Sequence, residues 1–177
     1  MTKDNVASRL FASISGPRDS RPGEETLRQP GATSTVPESA PTARRRALLN
    51  PTCVVCGAQN PRGLQIEFSA DSLGATAAWT PTSGWESFRG IVHGGIITTV
   101  LDEAMSKVII SRDWEALTAE LTVRFRGRVS PGDELQVRAW IVDKRKRRIR
   151  AEASLTTTTG EERAHAWGTF LLLPPGG

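Results

Sequence analysis

The sequence predicts an α+β domain in which one long apolar helix is wrapped by a curved antiparallel sheet. Three observations carry that expectation. First, at roughly 100° per residue, Ile96, Val100, Ala104, Ile97, Val108, Leu101, Met105 and Ile109 fill one arc of about 220°, too wide for a helix lying on a surface. Second, four strand-like stretches follow the helix (117–126, 134–142, 147–157 and 165–173), the first alternating with period two, as half-buried strands do. Third, two shorter alternating stretches precede it, so the order is ββ–α–ββββ, and such a sheet has to curl to bury so broad an apolar arc.

Taken in order, the chain begins with residues 1–47, rich in Pro, Gly, Ser, Thr and Arg. A segment with so few large apolar residues cannot offset its ordering entropy and is expected to be disordered. Val6 to Ile14 has a short amphipathic character. Asp4, Asp19, Glu24, Glu25 and Glu38 are too many acids for a transit peptide, and no signal-peptide apolar region is present. The segment also explains the net charge of +4: residues 1–50 hold eight basic and five acidic residues, and the remainder fifteen and fourteen. The body is nearly neutral, which argues against a nucleic-acid surface. No apolar run approaches the roughly 20 residues of a membrane span.

Cys53-Val54-Val55-Cys56-Gly57 reads as a loop, with a turn at Asn60-Pro61-Arg62-Gly63. A structural zinc site needs four ligands, and the chain offers two cysteines and two histidines, so no metal is expected. No thioredoxin-like βαβ context surrounds the cysteines. The expectation is two small, half-buried thiols in a protein of the reducing cytoplasm. Leu64–Phe68 and Leu73–Trp79 alternate and predict a hairpin turning at Asp71-Ser72. The loop or short turn from Trp85 to Val92 then carries Trp85 and Phe88 into the helix; they are expected to pack on the core, with the lining of an acyl pocket as the alternative.

Gly94 and Gly95 stand at the start of that helix. Glycines there let a substrate carbonyl approach orphan backbone N–H groups at the positive end of the helix dipole. Two turns on, Asp102 projects near 240°, at the border of the apolar arc, where burial can tune it. Glu103, near 340° with Lys107 four residues later, reads as an ordinary solvated ion pair. Downstream, Ser130-Pro131-Gly132-Asp133 is a turn. The run 144–148 (Lys-Arg-Lys-Arg-Arg) lacks the interleaved aromatics of a nucleic-acid patch and reads as a solvated hairpin connection, with binding of a nucleotide-bearing ligand's phosphates as the alternative.

At this point residues 50–173 resemble the hotdog-fold acyl-CoA thioesterases of the PaaI-like branch. The resemblance rests on His93-Gly94-Gly95 followed by Leu101-Asp102-Glu103, and on Thr118 to Phe125 followed by Pro131-Gly132-Asp133. The leader Cys53-x-x-Cys56-Gly57 with Asn60-Pro61-x-Gly63-Leu64 is similar to that of many relatives.

The resemblance implies a hotdog domain over 48–177 that forms a homodimer, often paired again into a tetramer, with two active sites at the subunit interface and no cofactor. It implies that the Gly94 N–H polarises the thioester carbonyl, with Gly95 beside it. Asp102, reaching over from the partner subunit, would act as general base or nucleophile, and Thr118 would orient that carboxylate or the water. Six residues before His93, where many relatives carry Asn or Gln, this chain has Ser87, whose hydroxyl can hold a water at shorter reach. His93 is expected to hydrogen-bond within the start of the helix. Arg124, Arg126 and Arg128 alternate along one strand, a face suited to the phosphates of CoA. The competing expectations are a non-catalytic acyl-CoA-binding module of regulatory role, and a related dehydratase or acyl carrier protein thioesterase.

Overall fold

The computed structural model describes residues 49–173, which lie within one compact unit, Glu38–Gly177. The expected disorder of residues 1–47, the amphipathic stretch 6–14 and the arginine run 44–46 lie outside the described residues. The elements run β1 (Ser69–Ala70), β2 (Ala75–Trp79), a 3-10 turn (Ser83–Trp85), β3 (Glu86–Phe88), β4 (Ile91–Val92), α1 (Gly94–Ile110), β5 (Ala116–Phe125), β6 (Leu135–Arg145), β7 (Arg148–Thr157) and β8 (Glu162–Leu172). Six strands form one antiparallel sheet in the order β1-β2-β6-β7-β8-β5, and β3 pairs with β4 as a separate ribbon.

Helix α1 lies on one face of this sheet and buries Ile97, Val100, Leu101, Ala104, Met105, Val108 and Ile109. The sheet receives it with small residues. Ala139 of β6 pairs with Ala153 of β7, which pairs with Ala166 of β8, so three methyl-sized side chains cross the floor beneath the helix. Gly168 continues that floor: a Cβ there would stand 2.6 Å from the Phe170 ring and 3.0 Å from Met105 Sδ. Larger residues, Leu135, Ile149, Leu155 and Phe170, close the core around them.

The structure corrects the sequence reading at several points. The predicted first strand, 64–68, is not part of the ladder. Leu64 N–H donates to Val54 O (2.8 Å) and Ile66 N–H to Val55 O (2.9 Å), with Gln65 at a positive φ of 52° between them. The alternation is real, since Ile66 is in the core, but its hydrogen bonds go to the cysteine loop instead of a neighbouring strand. Residues 86–92 form the β3-β4 ribbon with a bulge, not a loop, and Gly90 at φ 74° makes its turn. Phe88 is 76% exposed on that ribbon and does not pack on the core, whereas Trp85 does. The basic run forms the β6-β7 hairpin, with Arg145 opposite Arg148 and Lys146 at φ 53°.

Glu103 differs most. Its side chain is only 17% exposed, because the 50–66 segment covers that side of α1, and its pair with Lys107 (3.1 Å) is half-buried instead of solvated. Among the described residues no helix is long and apolar enough to cross a membrane.

Candidate active site

The start of α1 is assembled from the residues just before it. Val92 N–H donates to Val129 O (2.9 Å) and His93 N–H to Trp85 O (2.8 Å), which fixes how the chain enters the helix. His93 is the N-cap: its Nδ1 accepts from Gly95 N–H at 2.8 Å, while its carbonyl accepts from Ile96 N–H (2.9 Å) and Ile97 N–H (3.2 Å). Of the orphan donors at this terminus, the Gly94 N–H is left with no acceptor among the described residues. The histidine therefore shapes the site as a cap, and the free donor is the one the sequence singled out.

Both glycines have a steric reason to be glycine. A Cβ on Gly95 would stand 2.9 Å from His93 Nδ1 and disrupt the cap. A Cβ on Gly94 would stand 3.3 Å from Phe125 Cζ, because the Phe125 ring at the end of β5 lies over this peptide. Sequence reasoning missed Phe125 in that role. Its only signal was its place in the alternation of the strand that also carries Thr118.

Asp102 sits half-buried two turns along α1. The Thr118 hydroxyl of β5 donates to its Oδ1 at 2.9 Å, the contact expected of that pair. Burial pushes the Asp102 carboxyl above the usual carboxylate range; the Thr118 hydrogen bond works the other way, and the charge of Glu103 adds to the rise. The result is a carboxylate more basic than a solvated one and held in one orientation. Thr98 and Thr99 return their hydroxyls to the Gly94 and Gly95 carbonyls (2.9 and 2.8 Å).

The other anticipated residues are more scattered. Ser87 is exposed on β3 and makes no side-chain hydrogen bond among the described residues. The three arginines do not share a strand face. β5 ends at Phe125, so only Arg124 lies in it; Arg126 follows it and pairs with Glu162, and Arg128 lies further along the same connection. The strand breaks there because the Arg126 and Gly127 N–H groups both turn to the Arg163 carbonyl (2.8 and 3.2 Å).

The cysteines gather a cluster that sequence reasoning did not anticipate. Cys53 Sγ lies 3.8 Å from Glu103 Oε2, and Lys107 Nζ lies 3.0 Å from Cys56 Sγ. Burial, then Glu103, pushes the Cys56 thiol up to about 12, which suits no redox nucleophile. A second titratable group outside the sequence expectations is His165. Its Nδ1 lies 2.9 Å from Glu162 and its Nε2 3.1 Å from Glu152, on the sheet face away from α1, between Trp140 and Trp167.

Residues 89–164 match the family model described as "Thioesterase superfamily". No curated protein sequence matches the chain. Among solved structures, the Escherichia coli PaaI protein from the phenylacetic acid degradation operon is 21% identical, with a TM-score of 0.59 over 61% of this chain and 83% of that one. A hypothetical thioesterase from Streptococcus pneumoniae TIGR4, solved with coenzyme A, is 16% identical (TM-score 0.59, 61% and 85% covered). Smu.793 from Streptococcus mutans UA159, bound to acetyl CoA, is 20% identical (TM-score 0.59, 61% and 88% covered). The S. pneumoniae protein was also solved as two alanine variants, one at an aspartate and one at a threonine sixteen residues further on. At these identities the likeness carries the fold, a helix on a six-stranded antiparallel sheet of hotdog type.

Proposed function

We propose, on the premise that residues 89–164 place this domain in the thioesterase superfamily, that the protein hydrolyses an acyl-CoA thioester to a free acid and CoA. The observation that carries the reading is the Thr118–Asp102 hydrogen bond, which fixes a half-buried carboxylate of raised basicity. Asp102 and Thr118 are sixteen residues apart, the same spacing as the aspartate and threonine replaced in the S. pneumoniae protein.

In this scheme Asp102 takes a proton from water as the water oxygen attacks the thioester carbon, or attacks that carbon itself and is released by water afterwards. The carbonyl oxygen gains charge against the Gly94 N–H, and the C–S bond breaks to give CoA thiolate, which needs no acid to leave. One backbone donor aimed at that oxygen is worth about 3 kcal/mol, or two orders of magnitude or more in rate.

One chain cannot complete this geometry. Gly94 and Asp102 are eight residues apart on one helix, about 12 Å at 1.5 Å per residue, and reacting groups must meet within about 3–3.5 Å. A homodimer that brings Asp102 of one copy to Gly94 of the other removes the gap. β5 supports this: it is the terminal strand of the sheet, carries Thr118 and Phe125, and exposes 62% of Leu117. Trp167 and Leu171, both exposed and four residues apart on β8, support a further pairing into a dimer of dimers. CoA fits the neighbours solved with CoA and acetyl CoA, and Arg124 in β5, with Arg126 and Arg128 just beyond its end, are the cations proposed for its phosphates. No cofactor enters the scheme, and a reducing cytoplasm suits its free thiols.

The decisive experiment is thiol release from short, long and aromatic acyl-CoAs by the purified oligomer, beside Asp102→Asn. A dimer that hydrolyses no member of the panel overturns the assignment. Ser87 favours a second reading, a regulatory acyl-CoA-binding module, because its short hydroxyl is exposed where a water-positioning amide is expected. That reading requires CoA-ester binding without turnover, unaffected by Asp102→Asn.

A further inference from the structure

Three ligand-type atoms converge away from the Asp102 site: Cys53 Sγ, Cys56 Sγ and a carboxylate oxygen of Glu103, all within 4.8 Å of one another. We infer that they form a binding site for a thiophilic divalent cation of zinc's class, clamping the 50–66 loop to α1. Counting cysteines and histidines missed it because the third ligand is a carboxylate, delivered from fifty residues away by the fold.

Several features beyond proximity point the same way. A tetrahedron built on Zn–S bonds of about 2.3 Å and a Zn–O bond of about 2.0 Å has edges of roughly 3.5–3.8 Å. Cys53 Sγ and Glu103 Oε2 already lie 3.8 Å apart, so the set needs only a small closure. The cysteine loop is built as a chelating turn. Val55 N–H points at Cys53 Sγ (3.4 Å), the kind of contact that holds a thiolate, and Gly57 N–H closes the turn onto Cys53 O (3.1 Å). No side chain fits at Gly57, where a Cβ would lie 2.4 Å from Cys53 N.

The outer contacts are also those of a ligating carboxylate. Glu103 gives Oε1 to Lys107 (3.1 Å) and leaves Oε2 facing the sulfurs, while Lys107 also reaches Cys56 Sγ (3.0 Å). Such second contacts orient first ligands. An open cleft of about 400 Å³, lined by Cys56, Lys107, Pro51, Ile66 and Phe68, reaches the cluster on its Cys56 side.

The charges balance in both states. Without metal, two neutral thiols accompany the Glu103–Lys107 pair. With it, two thiolates, one carboxylate, one ammonium and one dication again sum to zero. Binding therefore forms two metal–sulfur bonds and one metal–oxygen bond and releases two thiol protons to solvent, with no redox step. The half-buried cluster changes no net charge, which keeps the desolvation cost of the loaded site low.

The test uses full-length, metal-free protein with its thiols verified as reduced, and needs no activity readout. Titration with Co²⁺ is expected to give a sulfur-to-cobalt charge-transfer band that saturates at one ion per chain, is displaced by Zn²⁺ and is accompanied by release of two protons per metal. Cys53→Ser and Cys56→Ser should each abolish the band while circular dichroism confirms a folded chain. Glu103→Gln should keep a band with affinity lower by about tenfold or more. Absence of the band in reduced wild-type protein overturns the site, as does an equal band in the cysteine variants. Unchanged affinity in Glu103→Gln overturns its three-ligand composition, and proton release on wild-type protein decides the matter should a cysteine variant not fold.

Discussion

Replacing Asp102 by Asn isolates the charge from the shape of the site. The amide is isosteric, and its Oδ1 still accepts the Thr118 hydroxyl held at 2.9 Å in the wild type, so the strand–helix contact survives. Folding is not expected to suffer: the carboxyl is disfavoured by burial, as its upward shift records, and a neutral amide removes that penalty. What is lost is the base. A positioned general base contributes about 10²–10⁴-fold, equivalent to about 3–5 kcal/mol of activation free energy at 1.36 kcal/mol per decade. The assay is thiol release at saturating acyl-CoA, with KM and sedimentation measured in parallel. The expected outcome is kcat lower by at least about a hundredfold, KM little changed and the oligomer intact. A variant that keeps kcat within about threefold, a difference too small for a lost general base, refutes the role assigned to Asp102.

Thr118→Ala should lower kcat by about tenfold, the value of one hydrogen bond to a charged group at its weaker, exposed end, and Thr118→Ser should restore it; rates from the two variants side by side check this. Gly168→Ala should lower stability by about 1–3 kcal/mol through overpacking against Phe170 and Met105, read as a fall in Tm. His165 should make stability depend on pH. Burial alone would lower its pKa, but Glu152 and Glu162 outweigh it and raise it above the ordinary 6.5, with Arg126 pairing Glu162 from the other side and Arg124 opposite in the ladder. A raised folded-state value means the native state binds the extra proton, so the stabilisation is complete below 6.5 and fades as pH rises through the folded value. The Tm advantage of wild type over His165→Gln should therefore shrink with rising pH; an advantage constant across that range removes the ion-pair explanation.

The sequence determined by itself those features that depend on periodicity and local sterics. The 220° apolar arc became the buried face of α1, because a helix displays its side chains at a fixed angular step whatever surrounds it. The four downstream strands emerged within a few residues of their expected spans, and His93-Gly94-Gly95 became a capped helix terminus with one donor spare. Asp102 at the border of that arc was legible for the same reason.

What lies against each exposed-looking residue was settled by contacts between elements. Glu103 has the periodicity of a solvated acid and is largely covered, because a loop fifty residues earlier folds over that side of the helix. Leu64–Phe68 alternates like a strand but bonds to the cysteine loop, since alternation records burial and not the identity of the hydrogen-bonding partner. Phe125 covers Gly94, and Arg126 leaves the strand for Glu162, through contacts with no signature in local spacing. Periodicity is a property of one element, whereas a ligand set or a covered carboxylate belongs to two elements that meet only when the chain has folded.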